Sequence, residues 1–180
     1  MNRPATFERI VQVYPLLANL PKALAVRLEA EAQVLRLPAQ QRVFGERDAC
    51  RGFPLVLEGV IRVAKADARG RRLKLYDVGP GDSCILTSSC LLSQRDYPAE
   101  GNTESEVELA LIPAPLFMTL VEQSGEMRRH VFALFSDRLV EMMGLVESVA
   151  FQRLDQRLAA RLLGHGGTLR LTHQQLADEL

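Results

Sequence analysis

The spacing of apolar residues changes twice along this chain, and the change constrains the fold more than any other feature. Over residues 7–35 apolar side chains recur every three to four positions, which is typical of helices, and Pro15 and Pro21 break the stretch into short pieces. From about residue 34 to residue 112 the spacing shortens to two, which is typical of strands. From residue 114 onward the helical spacing returns. The sequence therefore predicts helices, a strand-rich domain, and helices again.

The strand-rich part consists of short strands between turns. Residues 55–63 read as two strands around a Glu-Gly turn, and residues 73–78 and 107–112 read as further strands. The strand over 73–78 ends at Gly79-Pro80-Gly81-Asp82, the strongest turn signal of the chain. Short strands with frequent turns predict a barrel or jelly roll rather than a parallel sheet.

The helical part begins with a short helix over residues 115–123, and Ser124 is the predicted N-cap of a long helix that runs to about Phe151. One stripe of this helix has the a/d spacing of a coiled coil. It contains Phe132, Phe135, Leu139, Met142, Val146 and Val149. The spacing favours a helix that pairs with a second copy of the chain, and the alternative is a single amphipathic core helix. A second stripe, predicted to face the chain's own strands, contains Met127, Val131, Leu134 and Leu145.

The last part of the chain reads as a helix over residues 154–163, a short strand over 168–171 and the start of one more helix. Thr172 is the predicted N-cap of that helix, and Gln175 three residues later completes a capping box. The apolar face of this helix has no matching partner, so we expect the chain to end one helix into a further domain.

Composition narrows the classes of protein. The chain has 180 residues, 47% of them hydrophobic, and its 22 basic residues balance 22 acidic ones, so net charge alone does not hold it to nucleic acid. Three cysteines are too few for a disulfide scaffold. Neither a signal peptide nor an apolar run of membrane-spanning length is expected. These features predict a cytoplasmic protein without membrane association.

An enzymatic function is not expected. Metal-dependent jelly-roll enzymes need histidines that project into the barrel, and residues 34–112 contain none. The three histidines, His130, His165 and His173, all lie in the helical part. Nucleophile-elbow, Walker and dinucleotide-binding motifs are also missing from the sequence. We therefore predict neither catalysis nor a metal site.

Four segments in this order resemble the Crp/Fnr family of bacterial transcription regulators. They are residues 56–63, the Gly79-Pro80-Gly81-Asp82 turn, residues 150–159 and residues 171–177. The resemblance covers nearly the whole chain. It implies an α+β fold: a cyclic-nucleotide-binding-like β-roll (a double-stranded β-helix or jelly roll) flanked by helices, a long dimerisation helix and the start of a helix-turn-helix domain.

The resemblance also implies an organisation and partners. Residues 1–123 would form the sensor, residues 124–151 the dimerisation helix and residues 152–180 an incomplete winged helix-turn-helix domain. The implied partners are a second copy of the chain, DNA and RNA polymerase. Thr172 and Gln174 match positions that contact the DNA backbone, which orient a protein on DNA without reading its sequence. Because the recognition helix is not included, we expect these 180 residues not to bind an operator specifically in a gel-shift assay.

The effector segment departs from the members of the family that bind cyclic nucleotides. Those members carry a Gly-Glu pair in the turn and an Arg-Ser/Thr-Ala sequence further on, whose arginine pairs with the cyclic phosphate. Gly81 and Asp82 match the first part. When the second part is aligned on Ala99, Tyr97 stands at the arginine position and Pro98 at the hydroxyl position.

Two further observations bear on the pocket. Arg95 reaches the arginine position only after a shift of two residues in the alignment. The long-helix positions that offer hydroxyl groups to the nucleotide base are Met142 and Met143. We therefore expect an effector other than a cyclic nucleotide, either a small molecule or a redox signal.

The cysteines raise three alternatives. The segment from Cys84 to Cys90 is similar to the carbon-monoxide-sensing haem branch of the family, but it lacks the histidine ligand, so no cofactor is predicted and haem has little support. An iron–sulfur cluster usually needs four thiolate ligands, more than Cys50, Cys84 and Cys90 supply. Cys84 and Cys90 are candidate redox thiols, and the alternative, which base rates of burial favour, is that both only fill space.

Two further expectations concern signalling. Arg138 on the long helix matches a family position that forms a salt bridge with the turn carboxylate, here Asp82, and such a pair would couple the pocket to the helix. An exposed arginine with little energetic role is the alternative. A sensor module that acts through protein–protein contacts rather than DNA is the alternative function.

Overall fold

The structure, a computed structural model, describes residues 6–67, 71–151, 154–164, 172 and 175, without the side chains of residues 148–151, 154, 155, 157, 160 and 161. Helices and antiparallel sheets together confirm the predicted α+β class. The chain divides into two compact units, residues 1–134 and 135–180. The functional division into 1–123, 124–151 and 152–180 stays a prediction.

Short helices open the first unit. Helix α1 is Thr6–Val13, a 3-10 turn is Pro15–Leu17, and helix α2 is Lys22–Glu31. Each proline stands at the start of the element it introduces, where a missing N–H donor costs nothing. The predicted helix over 7–35 is wrong at its end, because residues 33–37 form a strand that pairs with the last strand of the roll. Pairing with a distant strand overrides the local three-to-four spacing.

Strands follow in two antiparallel sheets. They are β1 (Gln33–Leu37), β2 (Arg42–Phe44), β3 (Gly52–Glu58), β4 (Ile61–Ala66), β5 (Arg72–Val78), β6 (Glu100–Thr103) and β7 (Val107–Pro113). The strand order is β1-β7-β3 in one sheet and β2-β6-β4-β5 in the other. Helix α3 (Ile85–Ser93) lies between β5 and β6 in the chain. The strands predicted at 55–63, 73–78 and 107–112 are confirmed as β3 with β4, β5 and β7.

Strand β7 is buried on both faces because it is the central strand of its sheet. On one face Leu109 belongs to the apolar core inside the roll. On the other face Glu108 is buried and accepts hydrogen bonds from Arg9 on α1 (3.1 Å) and Arg36 on β1 (3.3 Å). The Arg9 guanidinium lowers the pKa of Glu108, so this buried carboxylate stays ionised.

Helices cover the outer face of the β1-β7-β3 sheet. Helix α4 (Ala114–Gln123) contacts both β3 and β7. The rings of Phe53 on β3 and Phe117 on α4 stack with centroids 4.6 Å apart, and both side chains are fully buried. Burying two aromatic rings anchors the helix layer to the sheet.

The long helix α5 is Gly125–Phe151, and α6 is Leu154–Leu163, as the sequence predicts. The Ser124 hydroxyl accepts a hydrogen bond from the Met127 backbone N–H at 3.2 Å, which confirms the predicted N-cap. Among the described residues, none of the helices combines the length and apolar character needed to cross a membrane.

Candidate functional site

The turn before α3 has the geometry that its sequence demands. Pro80 and Gly81 occupy its two central positions, and Gly81 has a φ of +84°, as a type II turn requires. The Asp82 N–H donates to the Gly79 carbonyl at 3.1 Å, and the Asp82 carboxylate accepts the Gly79 N–H at 3.0 Å. The carboxylate therefore stabilises the turn itself.

Tyr14 holds this turn against the roll. Its hydroxyl lies 2.8 Å from the Asp82 carbonyl oxygen and 3.0 Å from the Val56 carbonyl oxygen. Burial raises the pKa of Tyr14, so the phenol stays neutral and remains a donor. The loop that would hold an effector is thus anchored to the β3 strand by a buried side chain from outside the roll.

Tyr97, at the position that matches the family arginine, is a neutral core residue. Its ring stacks on Phe44 with centroids 4.1 Å apart, and its hydroxyl lies 3.0 Å from the Thr87 hydroxyl and 3.2 Å from the Cys50 thiol. Burial raises the pKa of Tyr97, and the side chain carries no charge at neutral pH. This position therefore lacks the cation that would pair with a cyclic phosphate.

The neighbours of Tyr97 do not replace that cation. Pro98 is exposed, and its carbonyl accepts a hydrogen bond from Lys65. Ala99 is buried, whereas Arg95 is exposed at the end of α3. The segment thus presents one guanidinium, on the exposed Arg95, rather than a buried charge pair.

Tyr76 was missed by the sequence analysis. This side chain extends from β5 to the start of α3, where its hydroxyl accepts the Leu86 backbone N–H at 3.2 Å and lies 3.6 Å from the Cys84 thiol. Free amide groups at a helix start are donors for an anionic ligand. One of these donors is already occupied by a side chain, and only the long-range pairing of β5 places the phenol there.

The cysteines lie in the core of the first unit. Cys84 and Cys90 are buried, and Cys50 is half-buried. Burial raises the pKa of Cys90 to about 11 and also raises the pKa of Cys50. Thiols with raised pKa values are poor nucleophiles at neutral pH. The Cys84–Cys90 redox pair stays a prediction, and these surroundings favour the alternative that the thiols fill space.

A contact that the sequence analysis did not identify joins the pocket loop, residues 79–84 between β5 and α3, to the first turns of α5. The Ser83 hydroxyl lies 2.9 Å from Nε2 of His130, which is partly buried. Burial lowers the pKa of His130. The predicted coupling pair, Asp82 and Arg138, stays a prediction; Arg138 forms a salt bridge with Glu141 at 2.6 Å on its own helix.

The His130 contact predicts a pH-dependent stability. A pKa below the ordinary value of 6.5 means that the unfolded chain binds the proton more tightly, so the stabilisation is present above about pH 6.5 and is lost as the pH falls towards the folded pKa. We expect His130→Gln to reduce this acid-induced loss in urea unfolding measured between pH 7.5 and 5.5. Ser83→Ala should instead cost about 1 kcal/mol and leave most of the pH dependence. Equal pH slopes for the parent and His130→Gln would contradict the assignment.

Helix α5 exposes most of its predicted stripe. Phe132, Leu139, Met142 and Val146 are 56–65% exposed, Phe135 is partly buried, and the Val149 side chain lies outside the described residues. Met143, a predicted pocket residue, is 63% exposed. Exposed apolar groups at this density are typical of an interaction surface.

The second stripe of α5 is confirmed in its first part only. Met127 and Val131 are buried in the first unit, and Leu134 is partly buried. Leu145 is exposed, contrary to prediction. Met127 and Val131 thus belong to the core of the first unit, which ends at Leu134.

The capping box at the end of the chain is confirmed. The Thr172 N–H donates to the Gln175 side-chain oxygen at 2.8 Å, and the Gln175 N–H donates to the Thr172 hydroxyl at 3.2 Å. The predicted strand over 168–171, Gln174, His165 and His173 lie outside the described residues. Within the described part of the chain, no group of three or more histidine, cysteine or acidic side chains could hold a metal ion.

The roll and its turn agree with a sequence match. The family described as "Cyclic nucleotide-binding domain" matches residues 34–124, about half of the chain. The chain belongs to the cyclic nucleotide-binding domain family. No curated protein sequence matches it significantly. Family membership identifies the type of the β-roll. At Tyr97 and Pro98 this chain differs from the pattern of the members that bind cyclic nucleotides.

Solved structures share this fold, and regulators of transcription are among them. A putative transcriptional regulator of the Crp/Fnr family from Eubacterium rectale is 24% identical, with a TM-score of 0.74 over 93% of this chain and 80% of its own. The c-di-GMP responsive global regulator CLP of Xanthomonas campestris is 22% identical, with a TM-score of 0.69 over 88% and 84%. The catabolite activator protein of Thermus thermophilus is 21% identical, with a TM-score of 0.63 over 91% and 78%.

Proposed function

We propose that this chain is the sensor and dimerisation part of a cytoplasmic, effector-responsive transcription regulator of the Crp/Fnr type, and that it is not an enzyme. The observation that carries the proposal is the combination of a cyclic-nucleotide-binding-type roll with a long helix whose apolar stripe is exposed. A stripe of this kind on a 27-residue helix is the surface through which two helices pair. The proposed partner is therefore a second copy of the chain.

DNA is the proposed target of the dimer, with RNA polymerase as a further partner. The capping box of Thr172 and Gln175 begins the helix that would lead into a helix-turn-helix. In this arrangement Thr172 and Gln174 contact the phosphate backbone. The two structural neighbours described above as a global regulator and a catabolite activator support regulation as the function of this fold.

The effector is proposed to be something other than a cyclic nucleotide. A neutral, buried Tyr97 at the arginine position and Pro98 at the hydroxyl position leave a cyclic phosphate without its charge pair. Tyr76 already accepts one amide at the start of α3. The neighbour whose name records a response to c-di-GMP supports the view that this fold serves more than one effector.

Calorimetry tests the effector proposal. We expect no saturable heat when cAMP or cGMP is added at up to about 1 mM, which corresponds to a binding free energy weaker than about −4 kcal/mol. Tyr97→Phe is a matched variant, because it keeps the ring and removes only the hydroxyl; it should behave as the parent does. Micromolar binding of either nucleotide to the parent chain would contradict the proposal.

Selection from random double-stranded DNA tests the output. For a protein in which this chain is followed by a helix-turn-helix domain, we expect enrichment of a two-fold symmetric sequence, because a dimer places two identical recognition elements on two half-sites. The 180-residue chain alone should enrich none. If such a protein is dimeric and enriches no sequence, the result would favour the second candidate function, a sensor that acts through protein–protein contacts.

A further inference from the structure

One end of the roll contains a cleft that shares only Tyr97 with the effector residues predicted from the sequence. It is lined by the second half of β1, by β2, by the start of β3 and by β7, and its volume is about 480 Å³. Sites for small molecules have volumes of about 300–1,000 Å³. The cleft is therefore large enough for a ligand.

The floor of the cleft is apolar. Strand pairing brings Leu35 of β1 opposite Leu109 of β7, and Leu111 of β7 opposite Pro54 of β3, on the inner face of the sheet. Phe44 of β2 and the ring of Tyr97 lie on the other side. Leu35 is 37% exposed, so the apolar surface reaches the opening of the cleft. An apolar chain would gain free energy by displacing water from these side chains.

The rim carries positive charge. Arg42 and Arg51 are exposed at the cleft, and no ion pair of either residue occurs within the described part of the chain. The third charged residue of the lining, Asp48, accepts the Gly45 N–H with its carboxylate at 2.6 Å. Two guanidinium groups beside an apolar floor match a ligand with an apolar chain and an anionic head.

We infer that this cleft binds a small amphipathic carboxylate, with its chain against Leu35, Leu109 and Leu111 and its head at Arg42 and Arg51. Such a ligand would contact the Phe44–Tyr97 stack, and the Tyr97 hydroxyl bonds to Thr87 on α3. The cleft is therefore connected to the segment that the sequence assigns to effector binding. Binding of the carboxylate in the cleft does not depend on the proposed function. Only the role of this ligand as the effector rests on that function.

Calorimetry with decanoate, below its micelle concentration, tests the inference on the 180-residue chain. We expect saturable binding of one decanoate per chain, with at least tenfold weaker binding of decyltrimethylammonium, which has the same chain and the opposite charge. The double variant Arg42→Gln/Arg51→Gln should weaken decanoate binding at least tenfold. Leu35→Glu should weaken it by a similar factor, because it places a carboxylate at the opening of the cleft.

Matched variants identify the site. Arg95→Gln removes an exposed arginine of the effector segment, and Val26→Glu adds a carboxylate at a residue of α2 that is 60% exposed. Both should bind decanoate as the parent does. A loss of binding in Arg95→Gln but not in the Arg42/Arg51 variant would move the ligand to the effector segment and overturn the inference. Equal binding of the two probes, or no decanoate binding at all, would also overturn it, whatever the result of the DNA selection.

Discussion

Leu139→Glu is expected to convert the proposed dimer into a monomer. Leu139 is 60% exposed in the middle of the a/d stripe, so pairing of two α5 helices would bury it against its counterpart. The variant would bring two carboxylates together in an apolar seam, and like charges at an interface cost several kcal/mol. The dimer dissociation constant should rise at least about 100-fold, equivalent to about 2.7 kcal/mol. Sedimentation equilibrium measures this change directly.

Ala133→Glu is the control for that experiment. It adds the same carboxylate to the same helix at another exposed residue, which lies on the side away from the stripe. We expect this variant to sediment as the parent does. A parent chain that sediments as a monomer at micromolar concentration would contradict the dimer, and a dimeric Leu139→Glu variant would place the interface elsewhere.

Gly59→Ala is expected to destabilise the roll by about 3 kcal/mol or more. Gly59 has a φ of +82° in the turn between β3 and β4, a backbone conformation that residues other than glycine rarely adopt. An added Cβ would also lie 2.1 Å from the Glu106 carbonyl oxygen, and a backbone atom cannot move aside without disturbing β7. Urea unfolding followed by circular dichroism measures the loss.

Gly79→Ala is the matched control in the other turn. An added Cβ at Gly79 meets only the Asp82 carboxylate oxygen, at 3.5 Å, and no positive φ applies there. We expect the free energy of unfolding of this variant to differ from that of the parent by less than about 1 kcal/mol. Equal losses for the two variants would show that neither the clash nor the conformation of Gly59 matters.

The elements that could be predicted from the sequence are those with a local cause. The turn at Gly79–Asp82 follows from a proline and a glycine in adjacent positions, and the Ser124 and Thr172 caps follow from hydroxyls that reach amides three residues on. The a/d stripe of α5 is likewise a property of consecutive turns of one helix. Strand β1 could not be predicted as a separate element, because its pairing partner β7 lies more than 70 residues away.

The features of the candidate site also divide into those with a local cause in the sequence and those that depend on long-range packing. Tyr97 and Pro98 stand in the sequence where a cyclic phosphate would need a cation and a hydroxyl, and that mismatch requires no coordinates. The Ser83–His130 contact and the reach of Tyr76 to Leu86 depend on where β5 and α5 lie around the pocket loop, so no local pattern reveals them. Leu145, predicted to be covered, is exposed, because helical spacing specifies a face of the helix but not which residues along that face are buried.

The alternation of helical and strand-rich segments, the Gly79–Asp82 turn, the caps and the apolar stripe of α5 follow from interactions among residues close together in the chain. Strands β2 and β6, helix α3 and the surfaces that the elements enclose were apparent only in the folded structure. The cleft between Leu35, Leu109 and Arg42 exists because β1, β2 and β7 converge at one end of the roll. Convergence of distant segments sets the shape and charge of a cavity, and no periodicity within one segment encodes it.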